Sequence, residues 1–283
     1  MNIPQGRGAI AWQDPIGLPV TLHTWRPAGH RPDGEVVFVQ HGMNRNGDEY
    51  RDFWIEAAER HDALIVAPTF SNEAFPQAET YNNGRVRAED GSVRPRADWS
   101  YGVPARVFAA LRAAGITTRD RARIFGHSAG SQFLHRLLAV MDGPWETPVC
   151  GNAGWYTQPD ADRPFPEGLG GIGLADADIA RFLARDLTIL AGDADTDTSG
   201  PSLPSHDAAL AQGPHRFARA HAYLAAGRAE AARRGAVCNW RLVEVPGIGH
   251  DGHAMSIAAA ALWFEGALPA PETLAARKGA VVA

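Results

Sequence analysis

The sequence predicts an α/β protein: a mostly parallel central sheet with helices on both faces and a small loop-rich insertion. Three observations carry this. Short, nearly unbroken apolar runs recur along the 283 residues, as strands buried on both faces require. Between them lie longer stretches with apolar residues at helical spacing. Glycine, proline, asparagine and aspartate punctuate the changes of period. Strand alternating with helix implies a parallel sheet covered on both sides.

Residues 8–13 and 19–26 read as two strands joined by a turn at Asp14-Pro15-Ile16-Gly17. Glu35 to Gln40 is a continuous apolar run, hence a buried strand, ending in His41-Gly42. Phe53, Trp54, Ala57 and Ala58 share one face of a helix over about 48–60. Ala63 to Ala67 is the next buried strand, which Pro68 should stop. Little regular signal follows over 70–97, where Asn83-Gly84 and Asp90-Gly91 point to a small hairpin excursion. Arg85, Arg87, Arg94 and Arg96 flank it and read as a solvated charged turn, with attraction of anionic esters as the alternative. A helix over about 99–114 leads to a strand at 121–125, and Thr147 to Asn152 is a further strand. Residues 154–185 are rich in glycine and proline and end in a short helix at about 175–184; they form a candidate cap or substrate loop. Leu187 to Ala191 is a strand, followed by a loop of Asp, Ser and Pro to about 205. Phe217, Ala220, Tyr223 and Leu224 mark a long helix to about Arg234. Val237 to Val245 is the last strand, and Met255, Ala259, Leu262 and Trp263 mark a final helix over about 252–265. The tail from Pro269 is expected to be loosely held. With no internal repeat or low-complexity linker, residues 1–283 read as one domain.

Hydrophobic content of 45% and charge of 21% are ordinary for a globular protein. A net charge of −5 with no basic stretch argues against nucleic acid as a partner. No apolar run reaches the roughly 18 residues a membrane helix needs. Met1 to Arg7 lacks the apolar core of a signal peptide, so with Met1 as the native start the expected location is the cytoplasm; a chain trimmed of a leader reads the same. Cys150 and Cys238 lack catalytic or metal-ligand spacing and are expected as free thiols. No motif fixes an oligomeric state.

The chemistry centres on Gly126-His127-Ser128-Ala129-Gly130, between the 121–125 strand and a helix beginning near Ser131. A serine between two glycines on a strand-to-helix turn is a nucleophile elbow. A serine hydroxyl is a poor nucleophile at neutral pH. It needs a base, a group that fixes the base, and donors for the oxyanion that forms. The candidate base is His250, in the glycine-rich loop Pro246 to Gly252, with His253 as the local rival. The candidate acid is Asp195, with Asp193 and Asp197 as alternatives in the same loop. The backbone N–H groups of Ala129 and Met43 are the candidate oxyanion hole, with Gly42 permitting close approach and Asn44 either assisting or capping the next helix. His41-Gly42, Ser128, Asp195 and His250 each follow a predicted strand. They therefore belong on one rim of the sheet, where ligands of such sheets bind.

Candidate substrate contacts are His41, Asn44 and His127 near the elbow, with Asn152, Trp155 and Tyr156 after the neighbouring strand. Trp155 and Tyr156 cannot both face inward from a strand. No cofactor or metal is implied. Asp193-x-Asp195-x-Asp197 opens like a calcium loop, but Thr198 replaces its glycine and Pro204 stands where the bidentate glutamate belongs. His250-x-x-His253 lacks the helical His-Glu-x-x-His frame of a zinc site.

In His41-Gly42, the elbow, Gly192-x-x-Asp195 and Gly249-His250, taken with the order Ser128, Asp195, His250, the chain resembles the α/β-hydrolase superfamily over about residues 20–265. Within it the chain looks most like the esterase and polyhydroxybutyrate-depolymerase-like group. The resemblance implies an α/β-hydrolase fold and hydrolysis of a small or polymeric ester through an acyl-enzyme. Ser128 would attack the carbonyl, His250 would pass the proton to the leaving alcohol, and water activated by His250 would release the acid. Acyl transfer and amide or peptide cleavage by the same triad are the enzymatic alternatives. A non-catalytic binding protein on this scaffold is the third. Ser128 excludes the halide-releasing relatives, which need aspartate at the elbow.

Overall fold

The computed structural model describes residues 1–277. In chain order the elements are β1 (Gly6–Gln13), β2 (Pro19–Arg26), β3 (Glu35–Gln40), α1 (Gly47–Asp52), α2 (Ile55–His61), β4 (Ala63–Thr69), α3 (Gln77–Thr80), α4 (Val103–Ala113), β5 (Ala122–His127), α5 (Ala129–Val140), β6 (Trp145–Gly151), α6 (Asp176–Leu183), β7 (Thr188–Gly192), α7 (Asp207–Leu210), α8 (Arg216–Arg234), β8 (Arg241–Val245), α9 (Gly252–Phe264) and α10 (Pro271–Arg277).

The strands form one sheet in the order β1-β2-β4-β3-β5-β6-β7-β8. The β1–β2 hairpin pairs antiparallel to β4, and from β4 to β8 every pairing is parallel. From β3 the chain crosses to β4 on one side and then returns to place β5 on the other. The loops leaving β3 and β5 therefore diverge, and a crevice opens between the carboxyl ends of these strands. Gly42-Met43 and Ser128 sit there.

Side-chain alternation builds two cores, one on each face of the sheet. Val36 and Phe38 enter the core covered by α4, α5, α6 and α8; Val37 and Val39 enter the core that holds Trp54, Met255 and Ala258. All of α5 is buried, which fixes the helix behind the elbow as a rigid element.

Several boundaries differ from the sequence expectation. The 48–60 helix is broken into α1 and α2 at Phe53-Trp54, where Trp54 N–H donates to Arg51 O (3.1 Å) in a tighter turn. That turn buries the Trp54 ring against Phe125 and Trp263. β4 runs through Pro68 to Thr69. Its pairing with β3 ends at Val66, so no donor is needed from Pro68 on that side. The last strand begins at Arg241, where its partner β7 begins. The 99–114 helix starts only at Val103, after short 3-10 turns that bury Trp99 and Tyr101.

The insertion closes on itself through a bridge between Pro164 and Gly170, and buries Phe165, Leu169 and Ile172 in the α5-side core. Cys150 and Cys238 are free, the first buried. Among the described residues no helix is long and apolar enough to cross a membrane. The tail from Pro269 requires a correction. Residues 271–277 form α10, and Leu274 is fully buried in the core around Met255; the rest of that tail lies outside the described residues. Leu274→Ala is expected to lower unfolding stability by about 2–4 kcal/mol, the usual cost of a buried leucine. Urea denaturation checks it, as a lower midpoint at unchanged slope.

Candidate active site

The elbow follows from backbone sterics. Ser128 has φ 57° and ψ −119°, a strained conformation that persists only when its surroundings enforce it. A Cβ on Gly126 would meet Gly130 O at 2.3 Å, and one on Gly130 would meet Gln40 O at 2.1 Å. Glycine is thus dictated on both sides of the serine. Ser128 N–H donates to Gly151 O (3.0 Å), tying the turn to β6. α5 starts at Ala129, so that residue's N–H has no partner within the helix.

A hydrogen-bonded row leads away from the serine. His250 Nε2 lies 3.0 Å from Ser128 Oγ, and His250 Nδ1 lies 2.8 Å from Asp195 Oδ2. A carboxylate only accepts, so Nδ1 carries the proton and Nε2 is free to take the serine's. Asp195 is 3% exposed. Its other oxygen, Oδ1, faces Arg216 Nη1 at 3.5 Å. Arg216 is itself buried and is held by Nη2 donating to Ser202 O (2.7 Å) and Oγ (3.2 Å). The rival residues are employed otherwise. Asp193 Oδ1 accepts from Gly247 N–H (2.7 Å), and Asp197 is exposed. His253 lies on the first turn of α9, its ring stacked on Phe53 at 5.0 Å.

The loops that carry Asp195 and His250 are stitched to each other. Asp193 N–H donates to Val245 O, and Ala194 N–H to Ile248 O. Asn152 completes this seam. At φ 44° and almost fully buried, it donates from Nδ2 to Gly249 O (2.9 Å) and accepts at Oδ1 from Gly192 N–H (2.9 Å). Instead of walling an acyl pocket, its side chain bridges the strand end before Asp195 to the residue before His250. Asn152→Ala is expected to lower kcat by about 10- to 100-fold with little change in KM, because the His250 loop would lose its support while the cavity keeps its shape. Steady-state kinetics on a neutral ester, with the circular dichroism spectrum unchanged, checks it.

A cavity of about 340 Å³ opens over Ser128, lined by Met43, Asn44, His127 and His250 among others. It does not reach His41, Asn152, Trp155 or Tyr156. His41 is fully buried; its Nδ1 donates to Gly42 O (2.9 Å) and its Nε2 accepts from Phe70 N–H (3.0 Å). Burial holds the ring neutral, its pKa pushed down to about 3. It braces the loops after β3 and β4 from behind. His127 is hydrogen-bonded through Nδ1 to the Tyr50 hydroxyl (2.8 Å), and its ring lies 4.7 Å from that of His250. Burial, then the His250 and Arg216 charges, lowers its pKa well below the usual histidine range. Trp155 carries the Arg136 guanidinium on its face (4.8 Å), and Tyr156 stacks on Tyr223 (4.3 Å). Asn44 does not cap α1; Asn46 occupies the cap position.

Sequence reasoning missed Arg216 and Tyr50. Tyr50 gives no signal, being one more aromatic residue on an amphipathic helix. Arg216 leaves a trace: α8 opens with Arg216 and Arg219 and has no acid in its first turn. Cations at a helix N-terminus oppose the macrodipole and need another reason to be there.

No protein-family model matches the chain, and no curated protein matches it. Solved structures do. The poly(3-hydroxybutyrate) depolymerase LpqC from Bordetella parapertussis is 52% identical over 96% of this chain and 95% of its own, with a TM-score of 0.94. Poly(aspartic acid) hydrolase-1 from Sphingomonas sp. KT-1 is 36% identical over 92% of this chain and 99% of its own, with a TM-score of 0.90. An S-formylglutathione hydrolase from Agrobacterium tumefaciens shares the fold at 16% identity, covering 98% of each chain, with a TM-score of 0.55.

Proposed function

Because the chain belongs to the α/β-hydrolase superfamily of serine hydrolases, in its esterase and polyhydroxybutyrate-depolymerase-like group, we propose that it cleaves carboxylic esters, small or polymeric, through Ser128, His250 and Asp195. The observation that carries this reading is the continuous row from Ser128 Oγ through the His250 ring to Asp195.

In the proposed cycle, Ser128 Oγ attacks the ester carbonyl as its proton passes to His250 Nε2. Asp195, with Arg216 behind it, stabilises the imidazolium and holds the ring in its working tautomer. The N–H groups of Ala129 and Met43 stabilise the oxyanion; the first is unpartnered in α5, and the second belongs to the loop lining the same cavity. His250 returns the proton to the leaving alcohol, which departs and leaves Ser128 acylated. A water gives a proton to His250 as it attacks the acyl carbonyl; the acyl–Oγ bond then breaks, His250 returns the proton to Ser128 Oγ, and the acid is released. No cofactor takes part in these steps.

Amide cleavage by the same row is the second reading, favoured by the 36%-identical relative named for poly(aspartic acid). A fluorophosphonate probe with peptide mass spectrometry tests the nucleophile: labelling at Ser128 supports it, and labelling elsewhere removes it. Turnover of nitrophenyl esters, 3-hydroxybutyrate oligomers and aspartate oligomers, measured side by side, separates ester from amide chemistry.

A further inference from the structure

A second hollow, of about 480 Å³, opens beside the excursion between β4 and α4. Gln77, Arg85 and Arg94 line it from the excursion, and Phe165 and Pro166 from the insertion. The hairpin places the two arginines: Arg94 N–H donates to Val86 O (2.9 Å), and Arg85, just before it, sits at φ 55°. Phe165 is 5% exposed and gives the hollow an apolar side.

The other two arginines of the excursion are satisfied. Arg87 donates to Gly91 O and Gly171 O, and Arg96 to Gly173 O. Arg85 and Arg94 differ. Arg85 Nη1 and Arg94 Nε are shielded from solvent without a hydrogen-bond partner. Among the described residues no carboxylate lies within ion-pair distance of either guanidinium; Glu79 and Glu89 line the same hollow without pairing to them. Burial, then the charge of Arg94, holds Arg85 below its ordinary pKa, against the pull of Asp98. Two like charges held together with desolvated donors form a costly arrangement. A carboxylate on the accessible edges of the two guanidinium groups would offset the like-charge repulsion and part of the cost of burying them.

We propose that this hollow binds a carboxylate of an oligomeric substrate, clamped by Arg85 and Arg94. The inference rests on the hydrolase reading and assigns it a substrate class. The wall of the hollow is tied to the active-site rim: Gln77 O accepts from Arg45 Nη2 (2.8 Å), and Arg45 directly follows Asn44 of the Ser128 cavity. On this proposal, an extended oligomer with one acyl unit at Ser128 crosses the Arg45 rim and presents a more distant carboxylate here. That group is either the free end of a hydroxyacid oligomer or a side chain of an acidic polyamide.

Calorimetric binding to the Ser128→Ala protein reads the site without turnover. The probes are a 3-hydroxybutyrate trimer as free acid, its methyl ester, and an aspartate oligomer with blocked ends. On the order of tenfold tighter binding of the free acid than of its ester is expected from a charge-assisted pair; Arg85→Gln and Arg94→Gln should abolish that preference. Tight binding of the aspartate oligomer, lost in the same variants, would instead assign a side-chain carboxylate. Equal binding of acid and ester together with aspartate binding unchanged in the variants would overturn the proposal, as would an acid preference that survives both substitutions. Arg94→Glu provides a second variant that reverses the charge. In the Ser128 background-free enzyme, all three arginine variants should retain kcat/KM for a neutral nitrophenyl ester; loss of that activity in parallel with binding would mean general damage and would also overturn the proposal. Failure of the wild-type protein to turn over any ester or amide would sink the hydrolase reading separately.

Discussion

Ser128→Ala is expected to lower kcat for a 4-nitrophenyl ester by on the order of a million-fold, the loss seen when the nucleophile of a cooperating triad is removed. The size follows from the division of labour. On the proposed mechanism His250 and Asp195 act on the barrier only through the serine oxygen, so removing Oγ removes their contribution as well. Residual catalysis would come from binding and from the oxyanion donors alone. The substitution should not unfold the protein, because the Ser128 backbone is held by Gly151 O and by the close contact of Gly130 with Gln40. Stopped-assay kinetics, with the melting temperature measured on the same sample, checks both halves. Wild-type rates in the variant would refute the assignment.

Asp195→Asn is expected to lower kcat by about 10⁴-fold, through the tautomer of His250. An amide at 195 can donate to Nδ1, which moves the imidazole proton to Nε2, where it can no longer accept from Ser128. The Arg216 guanidinium would also lose its nearest counter-charge, 3.5 Å away in a buried setting, so the melting temperature should fall as well. Asp193→Asn is the matched control. Asp193 Oδ1 accepts from Gly247 N–H, and an amide oxygen can accept that bond too, so less than a tenfold loss is expected. A larger loss at 193 than at 195 would reverse the choice of acid.

The site was legible where its chemistry is tied to strand ends. Ser128, Asp195 and His250 each follow a predicted strand, and parallel strands deliver their carboxyl ends to one rim, so a list of strands already gives the neighbourhood. The elbow was legible because its glycines answer to backbone contacts that any such turn makes. Asn152 was harder to read. From sequence it is a polar residue after a strand, and only the register of β6 beside β7 reveals that its amide meets Gly192 and Gly249. His41 illustrates the same limit: its place after a strand is readable, but the partners of its two ring nitrogens come from Gly42 and from Phe70, beyond β4. The break at Trp54 and the burial of Leu274 depend on the far core, assembled from α2, α9 and α10, whose periodicity says nothing of which neighbour each face will meet.

The switch in strand order beside β3 also has a bearing on engineering. The frame that holds Ser128, Asp195 and His250 is made of strand ends and their mutual hydrogen bonds, whereas Met43 and Asn44, which line the Ser128 cavity, stand on the loop after β3. Randomising Met43 and Asn44 would therefore explore new acyl preferences on a scaffold whose reactive geometry is inherited intact, a separation that lets selectivity diversify without rebuilding the machine each time.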